Sequence, residues 1–478
     1  MAIDPGLRRL ALGTLLAAFP GDTAPEWAVT LLADGLAGHT LFGTNVTDPA
    51  QVSRLTARLR EGRDDALIAI DEEGGDVTRL SHRTGSPYPG NAALGAVDDE
   101  SLTRAVYAAI GADLVAAGIN LDLAPTVDVN TADDNPIIGT RSFGADPRLV
   151  ARHARAAVEG LQSAGVAACA KHFPGHGATV TDSHLSLPTV DVPLEVLRER
   201  DLPPFAEVAA SAKAVMSAHI RVPALTGDDP ATFSRAALQG LLRDELGFRG
   251  AIVTDALEMV GAAATAGGIP QAAVRALTAG ADLLCIGAQV DAALVEAVAA
   301  EVAAGVPAAR LEEAVSRTTE LATWTAKHRT LLSYDDDLGL AAARRAVRVE
   351  GSLSGFGTPL VVQLVSGYSI AEGRVPWGLS PHLDGIEQVE VVAADASATD
   401  LAARAGNRPI VIVGRHTHRK PESRALVEQL ASTHAVGVVE MGWPSTWRPS
   451  QVRAFVTTHG ASLANGRAAA EALGLLHA

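Results

Sequence analysis

The sequence predicts an α/β protein: a (β/α)8 (TIM) barrel followed by a smaller α/β sandwich domain. Three observations carry that prediction. Eight short, almost wholly apolar runs recur over the first 330 residues or so. Alanine-rich stretches compatible with helix separate them. Asp71, Lys171, His219 and Asp255 stand at the ends of four of the runs. Continuous apolar strands that alternate with helices are the pattern of a parallel sheet buried on both faces. Polar residues at strand ends mark the carboxyl face, where barrels build their sites. A doubly wound sheet is the alternative architecture for the same alternation.

The eight runs are L-L-A-A-F (15–19), H-T-L-F-G (39–43), A-L-I-A-I-D (66–71), I-N-L-D-L-A-P (119–125), V-A-A-C-A-K (166–171), A-V-M-S-A-H (214–219), A-I-V-T-D (251–255) and L-L-C-I-G (283–287). They place the barrel at 1–335. A charged stretch, S-Y-D-D-D (333–337), opens a linker drawn at 336–349, whose L-A-A-A-R-R-A-V-R-V (340–349) reads as helix. The sandwich follows at 350–478. Its expected strands are 360–365, 389–394, 410–414 and 436–441, and a helical tail is expected over 465–476.

A chain of 478 residues suits two domains or one large barrel with an addition. Its 39 basic against 55 acidic residues give a net charge of −16, which argues against nucleic acid or an anionic membrane as a partner. The cysteines, Cys169 and Cys285, lie in apolar runs and read as buried thiols. The N-terminal stretch lacks the pattern of a secretory signal, and no run approaches 18 apolar residues. A cytoplasmic protein is the expectation. Lysine supplies only four of the 39 basic residues, yet one of them is Lys171 at a strand end. Either chance keeps a lysine there, or a compact ammonium is wanted where a guanidinium fork would not fit.

Four stretches concentrate reactive groups. D-E-E-G-G-D-V-T-R-L (71–80) is a tight turn with a carboxylate and an arginine, although an exposed loop would read the same. N-P-I-I-G-T-R-S-F-G (135–144) places Arg141 between two glycines. V-T-D-A-L-E-M (253–259) puts Asp255 at the end of the seventh strand, as a helix N-cap or a rigidly held nucleophile; Glu258 and Met259 follow on the first helical turn. K-H-F-P-G-H-G-A-T-V-T-D-S-H (171–184) leaves three readings open. His172, His176 and His184 could hold zinc, but Pro174, Gly175 and Gly177 break the helical spacing. Lys171 could form a Schiff base. In the third reading Asp182 and His184, two apart on an extended loop, face the same way, so the carboxylate orients the imidazole as a proton donor and acceptor. No metal and no cofactor is expected.

Together and in order, these motifs resemble the bacterial β-N-acetylglucosaminidases of glycoside hydrolase family 3. The resemblance implies a retaining exo-β-N-acetylglucosaminidase with Asp255 as nucleophile and His184 as acid/base, oriented by Asp182. It further implies that Asp71, Arg79, Arg141, Lys171 and His172 bind the sugar; His176 and Met259 are grouped with them. The D-S-H element favours an N-acetylhexosamine over glucose. The implied partner is a small carbohydrate, a GlcNAc glycoside such as GlcNAc–anhydroMurNAc peptides in muropeptide recycling. Phosphorolysis is the alternative, because a histidine base does not repel phosphate. The resemblance also predicts cis peptides at Lys171–His172 and Phe173–Pro174.

Overall fold

The computed structural model describes residues 4–183, 186–287, 290–330, 332–352, 354 and 356–476. The chain divides into two compact units. One comprises residues 1–73, 100–138 and 144–334; the other comprises 74–99, 139–143 and 335–478.

In the first unit every expected apolar run forms a strand. They are β1 (Leu15–Ala17), β2 (Gly38–Leu41), β3 (Leu67–Ile70), β4 (Leu121–Asp122), β5 (Ala167–Phe173), β6 (Ala214–Ser217), β7 (Ala251–Thr254) and β8 (Leu284–Ile286). The strands pair in parallel in chain order, and β8 returns to β1. A parallel bridge between Val253 and Leu283 links the seventh to the eighth, closing the barrel. Its lumen is filled by small and apolar side chains, among them Leu16, Leu67, Ala69, Leu121, Cys169, Met216 and Val253. The small residues fit because side chains from all strands converge on one axis, and a barrel of this strand number has room for packing but not for a pore. Both cysteines are buried, unbonded thiols.

In the second unit six strands among the described residues form one sheet: β9 (Arg348–Gly351), β10 (Leu360–Leu364), β11 (Gln388–Val391), β12 (Ile410–Gly414), β13 (Val436–Glu440) and β14 (Ala454–Thr457). Their order is β11-β10-β12-β13-β14-β9. All pairs are parallel except β14 with β9. Apolar clusters cover both faces, one around Val411, Val439 and Val456, the other around Ile410, Val438 and Leu426. The four strands expected here are present. β9 and β14 are additional; all four side chains of β9 are exposed, so its sequence carries no apolar run. The helix-like stretch forms helix Leu338–Ala346, and the tail forms helix Leu463–Ala472. Helix Asn91–Val97 packs on Leu338–Ala346 within this unit. Gly95 lies so close to Phe143 that an added Cβ would stand 1.8 Å from the Phe143 carbonyl oxygen.

Candidate active site

Asp71 follows β3 directly, Lys171 lies in β5, and Asp255 follows β7, so three strand ends converge on the carboxyl face of the barrel. Lys171 is 2% exposed at its side chain. Its ammonium sits 2.7 Å from Asp71 Oδ1 and 2.7 Å from Glu73 Oε1. Thr126 donates its hydroxyl to the other Glu73 oxygen at 3.0 Å. The arrangement neutralises one buried cation with two carboxylates, as a charge removed from water requires. Beneath it, Asp122 Oδ1 accepts the Glu72 amide at 3.0 Å. Burial raises the Asp122 carboxyl well above the usual carboxylate range, and the nearby Lys171 charge only partly opposes that rise.

The segment after Lys171 is organised by one carboxylate. His172 donates Nδ1–H to Asp128 Oδ2 at 2.7 Å. The amides of His172 and His176 donate to Asp128 Oδ1 at 3.2 and 2.7 Å. Burial works to raise the Asp128 carboxyl, but its pairing with the His172 ring and these hydrogen bonds outweigh it, and the net position is below the ordinary one. The peptides Lys171–His172 and Phe173–Pro174 are cis, as is Ala124–Pro125.

His176 is buried and bonded at both ring nitrogens. Nδ1 lies 2.7 Å from the Thr179 hydroxyl and Nε2 lies 3.0 Å from the Ser183 hydroxyl. Thr179 gives its own proton to the His176 carbonyl at 3.0 Å. Nδ1–H therefore donates to Thr179, and Nε2 accepts from Ser183. Burial pushes the imidazole down to about 4, against the opposing pull of the Asp128 and Asp255 charges.

Asp182 is half-buried, and its carbonyl accepts the Ser186 amide at 3.1 Å. His184, the expected acid/base, lies outside the described residues. Asp255 is half-buried; its amide donates to the Ser217 carbonyl at 3.2 Å, and its Oδ1 accepts the Ala256 amide at 2.8 Å. Met259 is 6% exposed and precedes helix Val260–Ala266 as its N-cap residue. Glu258 accepts the Gly287 amide at 2.8 Å, which ties the loop after β7 to the end of β8. His219, noted at the end of the sixth run, is held by the Thr232 hydroxyl at 2.9 Å and the Ala256 carbonyl at 3.1 Å.

Arg79 and Arg141 belong to the second unit. Arg79 is buried and donates to the carbonyls of Ala371 (2.7 Å) and Glu372 (3.2 Å). Arg141 closes a 3-10 turn, Gly139–Arg141, and its carbonyl accepts the Asn91 amide group at 2.7 Å.

Residues 14–321 match the model of the Glycosyl hydrolase family 3 N terminal domain. The chain belongs to glycosyl hydrolase family 3. Its family relatives include Beta-hexosaminidase A of Pseudoalteromonas piscicida, 39% identical over 259 residues. That match covers 50% of this chain and 43% of the relative, so the chain spans less than half the length of that protein. A Beta-hexosaminidase of Idiomarina loihiensis is 38% identical over 265 residues, covering 54% of this chain and 78% of its own. Among solved structures, a glycoside hydrolase family 3 β-N-acetylglucosaminidase from Paenibacillus sp. superposes with a TM-score of 0.87 at 32% identity, over 98% of this chain and 97% of that one.

Within this family member, reading the sequence missed the residues that hold the others: Glu73 and Asp128 in the first unit, Asp76, Glu372 and Arg415 in the second. A signal existed for three of them. Glu73 and Asp76 stand in the D-E-E-G-G-D motif, and Asp128 interrupts an apolar stretch, T-V-D-V (126–129), just beyond β4. Glu372 and Arg415 lie about 300 residues away in ordinary loop sequence.

Proposed function

We propose that the chain is a retaining exo-β-N-acetylglucosaminidase that removes terminal β-linked GlcNAc. The observation that supports this most directly is its 38–39% identity to proteins named β-hexosaminidase, alongside family motifs that stand in order on the loops after β3, β4, β5 and β7. Asp255 attacks the anomeric carbon and forms a glycosyl-aspartate. His184 gives its proton to the leaving oxygen, then takes one from the incoming water. Asp182 orients His184. An imidazole, with an ordinary pKa of about 6.5, changes roles between the two steps near neutrality. Asp71, Arg79, Arg141, Lys171 and His172 bind the sugar in this reading; Met259 and His176 belong to the same set. The pairing of Lys171 with Asp71 leaves the latter as the more open carboxylate, 17% exposed against 2% for Glu73, and suited to accept sugar hydroxyls.

The proposed setting is cytoplasmic recycling of muropeptides, with GlcNAc–anhydroMurNAc peptides as substrate. Two unpaired thiols suit a reducing compartment. Among the described residues no helix is long and apolar enough to cross a membrane. The test is release of p-nitrophenol from the β-GlcNAc and β-glucose glycosides, with and without phosphate. Preferred turnover of the GlcNAc glycoside to free GlcNAc is expected. Preference for the glucoside overturns the substrate assignment, and GlcNAc 1-phosphate as the main product overturns hydrolysis.

A further inference from the structure

The second sheet offers a ligand crevice that the chain itself occupies. From β10 the connection runs to β11 on one side, and β12 lies on the other side, so the strand order reverses between β10 and β12. Open parallel sheets bind their ligands outside the carboxyl ends of the strands, at such a reversal. Here the loops at those ends close on residues 74–80 of the same unit. Ala461, in the loop after β14, donates its amide to Asp76 Oδ1 at 2.7 Å. Arg415, which follows β12 directly, places Nη2 3.4 Å from Asp76 Oδ2. The same nitrogen lies 2.7 Å from Glu372 in the loop after β10. Thr140 donates to Asp76 Oδ2 at 2.7 Å, which brings in the turn that carries Arg141. The Asp76 and Arg415 side chains are 3% and 7% exposed. Asp76 stands where an anionic ligand would stand: on a backbone N–H and a buried guanidinium.

The crevice also grips Arg79. The two carbonyls that accept its guanidinium, those of Ala371 and Glu372, belong to the backbone that Arg415 pins through the Glu372 carboxylate. Two acceptors in fixed positions hold a planar fork in one orientation. We propose that the crevice of the second sheet takes the Asp76 loop as a built-in ligand, and that Glu372 and Arg415 are positioning residues for Arg79. The proposal rests on the reading above in which Arg79 contacts the sugar.

The experiment compares Glu372→Gln, Arg415→Met, Arg79→Met and the Arg79→Met/Glu372→Gln double variant on p-nitrophenyl β-GlcNAc. Loss of the Arg79 contact is expected to raise KM by about tenfold, the scale of one charge-assisted hydrogen bond. Glu372→Gln keeps the side chain's shape and is expected to raise KM by about three- to tenfold, with kcat within about twofold. The double variant is expected to match Arg79→Met within about twofold, because a misplaced guanidinium cannot be lost twice. A KM for the double variant equal to the product of the single effects overturns the proposal, as does an unchanged KM in Glu372→Gln. Arg415→Met should follow Glu372→Gln; if it does not fold, the other three variants decide. An unchanged KM in Arg79→Met instead refutes the sugar-binding role of Arg79, a failure of the functional reading that the other arms do not mimic.

Discussion

Single residues divide the proposed chemistry unevenly. Asp255→Ala should abolish turnover of every substrate, because no covalent intermediate can form. His184→Ala should be selective: a dinitrophenolate leaving group needs little protonation, so the first step survives and the second limits. Azide needs no base and should rescue this variant as the β-glycosyl azide, while mass spectrometry finds a sugar adduct on the peptide that contains Asp255. An α-azide, or an adduct on another carboxylate, would refute retention or the choice of nucleophile. His176 makes a different prediction. Its ring is neutral in the folded protein, displaced to about 4, whereas in the unfolded chain it titrates near ~6.5. Between those values the unfolded state binds the extra proton. The stabilisation is therefore complete above about pH 6.5 and is lost as pH falls toward 4, by at most ~3 kcal/mol. Denaturant titrations of wild type and His176→Asn at pH 7.5 and pH 5 check this: the wild type should lose more stability than the variant.

At the scale of an element, the loop after β5 depends on Asp128. That carboxylate accepts two backbone amides and the His172 ring. Asp128→Ala would leave three donors without their acceptor inside the barrel mouth, a loss of about 3–5 kcal/mol. Asp128→Asn keeps one oxygen for the amides but replaces the acceptor of His172 with a donor. It should melt within a few degrees of wild type yet lose most of its kcat/KM, which thermal melts and p-nitrophenyl β-GlcNAc kinetics would show together. Equal losses in both measurements would make Asp128 a purely structural group. The motif K-H-F-P-G-H-G was legible in the sequence because its residues are contiguous. The pairing that organises it was not, because Asp128 reaches His172 from the neighbouring strand, 44 positions away in the chain.

Across the whole molecule, the two ends of the barrel should respond differently. Asp282 precedes β8 at the amino-terminal end and is fully buried among Arg243, Arg310 and Arg317, while its Oδ2 also accepts the Ile252 amide at 2.9 Å. Asp282→Ala should cost about 3–5 kcal/mol in chemical denaturation, because three guanidinium groups lose their shared counter-charge. The kcat/KM of the protein that remains folded should be unchanged, since sites lie at the opposite face. Truncation after residue 335 should yield aggregated or inactive protein. It would strip residues 74–99 and 139–143 from the rest of their compact unit and expose Ala92, Ala93 and Leu94, which are buried in the full chain. Soluble, active 1–335 would overturn this.

The sequence by itself determined the alternation of strands and helices, the strand ends that carry Asp71, Lys171 and Asp255, and the family. Burial on both faces of a parallel sheet forces continuous apolar runs, and reactive groups placed where those runs stop are visible without a structure. β9 stayed hidden because its side chains face solvent and carry no such pattern. Only the tertiary structure decided that Lys171 is shared by Asp71 and Glu73, that Asp128 holds His172, and that the turn bearing Arg79 belongs with residues 335–478. Those pairings join positions tens to hundreds of residues apart. A buried charge must find an opposite charge in space, and nothing in the local order of residues records which one it will be.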